Sequence, residues 1–140
     1  MICKVKKLDV DALLPVYAHS GDAGMDLFAL EDTTIPIGQI VAVRTGIAMQ
    51  IPDGYVGLIW DKSGLSIRHG LKTVGGVIDS GFRGEILIGM TNLGKVDYVI
   101  EKGHKIAQML IQSVNRVELI ETEELEESVR GEGGFGSTGK

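Results

Sequence analysis

The stretch Gly84-Glu85-Ile86-Leu87-Ile88-Gly89-Met90-Thr91-Asn92-Leu93 decides the fold class. Ile86, Ile88 and Met90 fall on one side of a period-two pattern, with Leu87, Gly89 and Thr91 on the other, as in a strand with two unlike faces. Outward from it, short β-rich runs recur at 40–51, 55–60, 96–100 and 105–114. Between them stand Pro52-Asp53-Gly54, Asp79-Ser80-Gly81, Asn92-Leu93-Gly94 and Glu101-Lys102-Gly103. These are turn chemistries at roughly the 8–12-residue spacing of a sandwich or barrel. One helix is expected, a short one at about 64–69, with Ser63 as its cap. The pattern predicts one all-β domain, with 73–78 and 84–92 joined as a hairpin.

Composition agrees. The chain has 140 residues, 44% hydrophobic and 24% charged, the balance of one globular domain rather than of a disordered segment. No apolar run approaches the ~20 residues of a membrane span. The start, MICKVKKLDV, lacks the apolar core of a signal peptide. The single Cys3 excludes an internal disulfide and any multi-cysteine zinc site, so a cytoplasmic protein without a membrane partner is expected. The net charge is −5, but residues 118–127 alone hold six Glu, so the remainder carries +1. Without a broadly basic face, nucleic acid is an unfavoured partner. A small anion held by a few placed cations remains possible.

The C-terminal end is different: five of the residues 131–140 are Gly. A glycine-rich run loses much entropy on ordering and offers no core contacts, so residues 128–140 are expected to form a flexible arm after a β domain at 1–127. Gly131, Gly133 and Gly136 fit G-x-G-x-x-G, but no βαβ unit contains them. The run Gly134 to Lys140 fits part of a Walker A loop, yet no helix follows. Chemically the arm still suits phosphate. Its glycine N–H groups can converge on an anion, Ser137 and Thr138 add hydroxyl donors, and Arg130 adds a planar fork. Phe135 offers a ring for stacking on a nucleobase.

Five short blocks carry a resemblance. They are Ala23-Gly24-Met25-Asp26-Leu27; Lys62-Ser63-Gly64-Leu65; Gly76-Val77-Ile78-Asp79 through Phe82-Arg83-Gly84-Glu85; Lys105-Ile106-Ala107-Gln108; and Arg130 through Gly139. In this order they resemble the trimeric deoxyuridine triphosphatase (dUTPase) family, from about residue 23 to residue 139. The resemblance implies a jelly-roll homotrimer that hydrolyses dUTP to dUMP and pyrophosphate with Mg²⁺, limiting uracil in DNA and supplying dUMP for thymidylate synthesis. It also implies sites shared between chains and an arm that closes over the nucleotide.

By this resemblance Asp79 orients and deprotonates the water that attacks the α-phosphorus, a task for a carboxylate able to accept a proton. The main chain around Val77, Ile78 and Leu87 reads the uracil edge, and Thr73 is a further contact by position. Phe82 stands where most relatives carry Tyr, a wall against a 2′-hydroxyl. Gly81 stands where many have Asp. Lys62, in the place of the usual Arg, joins Ser63, Gly64 and Gln108 on the phosphates. Arg130, Phe135, Gly136, Ser137 and Thr138 act from the arm. Asp26 is implied to help hold Mg²⁺ through water.

Outside these blocks the readings are structural. His19, His69 and His104 have no metal-ligand spacing, Cys3 is a strand residue, and Trp60 is core or interface. The rival activities are a dCTP deaminase of the same fold and a non-catalytic β-sandwich interaction module.

Overall fold

A computed structural model describes residues 1–134. Eleven strands and one helix follow in order: β1 (Lys4–Lys7), β2 (Met25–Phe28), β3 (Thr33–Ile35), β4 (Ile40–Arg44), β5 (Ile47–Gln50), β6 (Tyr55–Asp61), α1 (Ser63–His69), β7 (Leu71–Val74), β8 (Val77–Asp79), β9 (Leu87–Asn92), β10 (Tyr98–Ile100) and β11 (Lys105–Ser113). They form a four-stranded sheet in the order β2-β11-β6-β8, a three-stranded sheet β4-β9-β7, and the pairs β1-β5 and β10-β3. All the strand pairs are antiparallel. The expected all-β architecture is present as a sandwich, and none of the sheets closes into a barrel. Among the described residues no helix is long and apolar enough to cross a membrane.

The period-two reading of 84–93 holds. Ile86, Ile88 and Met90 are buried while Leu87 is exposed. One apolar core joins both larger sheets, with Leu27, Ile59, Ala107 and Met109 from one and Val43, Leu71, Ile88 and Met90 from the other. Ile47, Met49, Ile35 and Ile100 from the two pairs complete it.

Three local expectations are revised. The run 40–51 is two strands, because Thr45 and Gly46 turn inward. Thr45 Oγ1 donates to the Ile86 carbonyl at 2.6 Å and Gly46 N–H to Glu85 Oε1 at 2.8 Å, which diverts β5 to β1. The hairpin of 73–78 with 84–92 is likewise divided. β7 pairs with β9, but β8 crosses to the edge of β6. The switch sits at Gly75 and Gly76, whose φ angles of 73° and 106° belong to the region glycine tolerates best. Finally, α1 starts at Ser63 itself. Lys62 occupies the cap position with extended backbone (φ −81°, ψ 119°), and no side chain caps the first turn.

Candidate active site

At one end of the four-stranded sheet Asp26, Gln108 and Trp60 lie side by side on β2, β11 and β6. Residues opposite one another in antiparallel strands share a face, so these three point the same way. Asp26 is 3% exposed, yet it is charged and doubly paired. Lys62 Nζ donates to its Oδ1 at 2.5 Å, and Lys105 Nζ lies 2.8 Å from Oδ2. The second contact is an ion pair off the axis of a well-aligned hydrogen bond. Burial pushes the Asp26 carboxyl up, but the close ammonium contacts of Lys105 and Lys62 outweigh it and hold the group below the ordinary carboxylate range. The result is a fixed cluster carrying one surplus positive charge. Gln108 Nε2 donates to the Asp61 carbonyl at 2.9 Å, one residue before Lys62. Gly24 explains its own place in the first block: a Cβ there would lie 2.7 Å from Gln108 Oε1. Ser63 and Gly64 follow at the uncapped start of α1, both exposed. Lys62, Ser63, Gly64, Gln108 and Asp26 are therefore brought into one cluster.

Sequence reasoning missed two members. Lys105 opens the fourth block, where nothing in the sequence signals its pairing with Asp26. Asp61, directly before Lys62, accepts from Thr73 N–H at 2.7 Å, Thr73 Oγ1 at 2.6 Å and Lys72 Nζ at 3.1 Å. Burial again raises this carboxyl, and the Thr73 hydrogen bonds with the Lys72 ammonium bring it below its usual range. Thr73 is 7% exposed and its hydroxyl is engaged by Asp61.

A second group surrounds the turn after β8. Phe82 N–H donates to the Asp79 carbonyl at 3.1 Å, closing Asp79-Ser80-Gly81-Phe82 as a β-turn. Arg83 Nη1 braces it from the Ser80 and Phe82 carbonyls at 2.6 and 2.7 Å. Asp79 is exposed, and no described residue donates a hydrogen bond to its side chain. It faces an open groove of about 370 Å³ lined by Tyr55, Val56, Leu58, Val77, Ser80, Gly81, Val114 and Arg116. β8 pairs only with β6, while β9 pairs with β4 and β7, so facing edges of Val77–Asp79 and of Leu87 are left without a ladder. Such an edge presents unpaired N–H and C=O groups. Phe82, 43% exposed, stands beside this gap.

The two groups do not meet within one chain. Asp26 and Asp79 lie three strands apart and four residues apart along β6, since Trp60 aligns with Asp26 through Gln108 and Val56 with Asp79. At ordinary strand dimensions that is roughly 20 Å. Among the described residues Arg130 joins neither group; its Nε donates to the Gly133 carbonyl at 2.7 Å within its own turn. Phe135, Gly136, Ser137 and Thr138 lie outside the described residues.

A family model described as dUTPase matches residues 11–139. The chain belongs to the dUTPase family. The deoxyuridine 5′-triphosphate nucleotidohydrolase of Thermobifida fusca is 48% identical over 139 residues, covering 97% of this chain and 78% of that one. The dUTPase of Staphylococcus bacteriophage 80alpha, solved with dUPNHPP, has a TM-score of 0.94 at 33% identity, with 99% of each chain covered. A dUTPase from phage phi11 of S. aureus has a TM-score of 0.84 at 28% identity, covering 91% of this chain and 100% of that one; coordination of a structural Mg(II) ion is described for it.

For a dUTPase family member the donor set around Asp26 is informative about metal. Among the described residues no three His, Cys, Asp or Glu side chains gather as ligands. Both Asp26 oxygens already face ammonium groups. The described residues thus supply no dedicated cage, and they fit an ion carried on substrate phosphates, as Mg²⁺ commonly is. A groove of about 380 Å³ elsewhere, lined by Asp9, Asp11, Glu31 and Asp32 with Arg44 and Lys102, is predominantly acidic and unsuited to a polyphosphate.

Proposed function

We propose that this protein hydrolyses dUTP to dUMP and pyrophosphate. A water oxygen bonds to the α-phosphorus, the bond from that phosphorus to the bridging oxygen breaks, and pyrophosphate leaves. Asp79 takes the proton from the water. The observation that carries this reading is the exposed, unbonded Asp79 carboxylate at the mouth of a gap between unpaired strand edges. A carboxylate so placed is free to accept a proton, and backbone groups of Val77, Ile78 and Leu87 can match the acceptor–donor–acceptor edge of uracil. Phe82 closes the sugar side. A 2′-hydroxyl against that ring loses its water partners and gains none.

The phosphates fall to Lys62, Ser63, Gly64 and Gln108, with Arg130, Phe135, Gly136, Ser137 and Thr138 closing from the arm. Mg²⁺ on the phosphates would neutralise part of their charge, and Asp26, held by Lys62 and Lys105, would reach it through water. The roughly 20 Å between Asp79 and the Lys62 cluster is too long for neighbouring phosphates of one nucleotide. One site that uses both must take them from different copies of the chain. A surface for such copies exists on the outer face of the four-stranded sheet, where Val56, Leu58, Trp60, Val77 and Leu110 alternate with core residues. Trp60 is 54% and Val77 67% exposed there, so Trp60 belongs to a face open to a partner rather than to the core. A homotrimer covers that face and completes three sites. A cytoplasmic location suits an enzyme acting on free nucleotides.

Pyrophosphate release is to be measured for dUTP, dTTP, dCTP and UTP in Mg²⁺ buffer. The expected result is turnover of dUTP alone. Ammonia release from dCTP, or no turnover of any nucleotide, would overturn the proposal.

A further inference from the structure

We infer that Asp61 is a positioning residue that holds the triphosphate-binding cluster in place by clamping the end of β6 to the buried strand β7. The inference rests on the reading that Lys62, Ser63, Gly64 and Gln108 bind the phosphates. Past Leu58, β6 loses its partner β8, whose pairing stops at Val77. Among the described residues two links remain on that edge: the Ile59 N–H to the Gly76 carbonyl at 2.8 Å, and the Asp61 carboxylate. Asp61 Oδ1 takes the place of a strand carbonyl by accepting the Thr73 N–H at 2.7 Å, and it accepts Thr73 Oγ1 at 2.6 Å as well. Lys72 Nζ adds 3.1 Å contacts to both carboxylate oxygens.

The direction of control follows from burial. Thr73 is 7% exposed and its strand pairs with β9 on the other edge, so β7 is the fixed partner. The end of β6 is the part being held. What it carries is the cluster itself. The Asp61 carbonyl receives the Gln108 amide at 2.9 Å, and the next residue is Lys62, followed by the first turn of α1. Loss of the carboxylate would leave two Thr73 donors without an acceptor and let the Asp61 carbonyl, Gln108 and Lys62 drift together. The side chain does not touch the nucleotide, and its effect belongs to the phosphates and not to the base.

The test measures binding of a nonhydrolysable dUTP analogue and of deoxyuridine, which carries base and sugar without phosphate, to the full assembled protein. Asp61→Ala should weaken the analogue by about tenfold while deoxyuridine stays within about twofold, the loss expected for hydrogen bonds to a charged group. Thr73→Val, which keeps the buried volume and removes one donor, should show the same split at about threefold, and it covers the case in which Asp61→Ala does not fold. Asp61→Asn, which restores an acceptor for Thr73, should recover most of the analogue's affinity. Unchanged analogue binding in Asp61→Ala, or a Thr73→Val loss confined to deoxyuridine, would overturn the inference. Gln108→Ala run in parallel separates the two levels. If it weakens the analogue while Asp61→Ala does not, only the positioning role falls. If neither variant does, the phosphate reading falls and the positioning role with it.

Discussion

Single residues in this protein divide by whether their polar atoms are occupied. Asp26 is paired with Lys62 and Lys105, Asp61 is satisfied by Thr73 and Lys72, and Asp79 has no such partner among the described residues. Satisfied carboxylates organise structure, whereas an unsatisfied one on a turn is available for chemistry. Asp79→Asn keeps size and an acceptor oxygen but cannot take a proton. It should fold and bind nucleotide normally while turnover falls by at least ~10²-fold, the lower range for general acid–base catalysis. Steady-state pyrophosphate release beside analogue binding checks this. Asp61 gives a second expectation, in stability. Its carboxyl is depressed in the folded state, so the stabilisation it adds is complete above the unfolded carboxylate value of ~3.9. That stabilisation disappears as pH falls through the lower, folded value. Asp61's contribution to the melting temperature should therefore be constant between pH 5 and 8 and be lost below about pH 4, so that the drop there is less steep in Asp61→Asn. A pH series of thermal melts on both proteins measures the difference.

At the level of elements, legibility tracked how local the signal is. The alternation within 84–93 and the β-rich composition of 105–114 are properties of adjacent residues, and both stretches hold strands, the first with Ile86, Ile88 and Met90 buried as its alternation predicts. β1, β2 and β3 gave no comparable signal because they are only three or four residues long. β1 also reads Lys-Val-Lys-Lys on an outer edge. The site blocks were legible as motifs, but their partners were not. Asp61 and Thr73 stand 12 residues apart with α1 between them, and nothing in the intervening chain announces the contact. The exchange of 73–79 between two sheets was also hidden, since Gly75-Gly76 reads equally as a turn or as a weak strand centre. That exchange opens the gap beside Asp79, so Gly76 is an element-scale determinant of the site. At φ 106° an alanine would be strained, with its Cβ 3.0 Å from Ile59 Cβ and 3.1 Å from the Ile59 carbonyl oxygen. Gly76→Ala should cost about 1–3 kcal/mol, measurable as a lower denaturation midpoint. It should also raise KM for dUTP as β8 shifts away from the β9 edge.

The whole molecule must reconcile one chain with two half-sites. Asp26, which anchors the Lys62–Gln108 cluster, and Asp79 sit on the same face of one sheet but roughly 20 Å apart, so under the proposed function each chain would offer a base to one nucleotide and phosphate donors to another. Symmetry turns this into a quantitative test. One parent carries Asp79→Asn; the other carries Lys62→Ala with Gln108→Ala. Each should assemble and each should be nearly inactive. When equal amounts are dissociated and reassembled together, half of all chains hold an intact Asp79 and half an intact phosphate cluster. If a site draws these parts from different chains, the draws are independent, and about a quarter of sites regain both, giving about a quarter of wild-type turnover. If a site draws both from one chain, no reassembled site is complete and turnover stays at the level of the parents. Mixing without dissociation is the control, because exchange of chains and not mere contact must restore activity. A recovery near a quarter would tie the exposed apolar face, the separated half-sites and the hydrolysis of dUTP to one assembly.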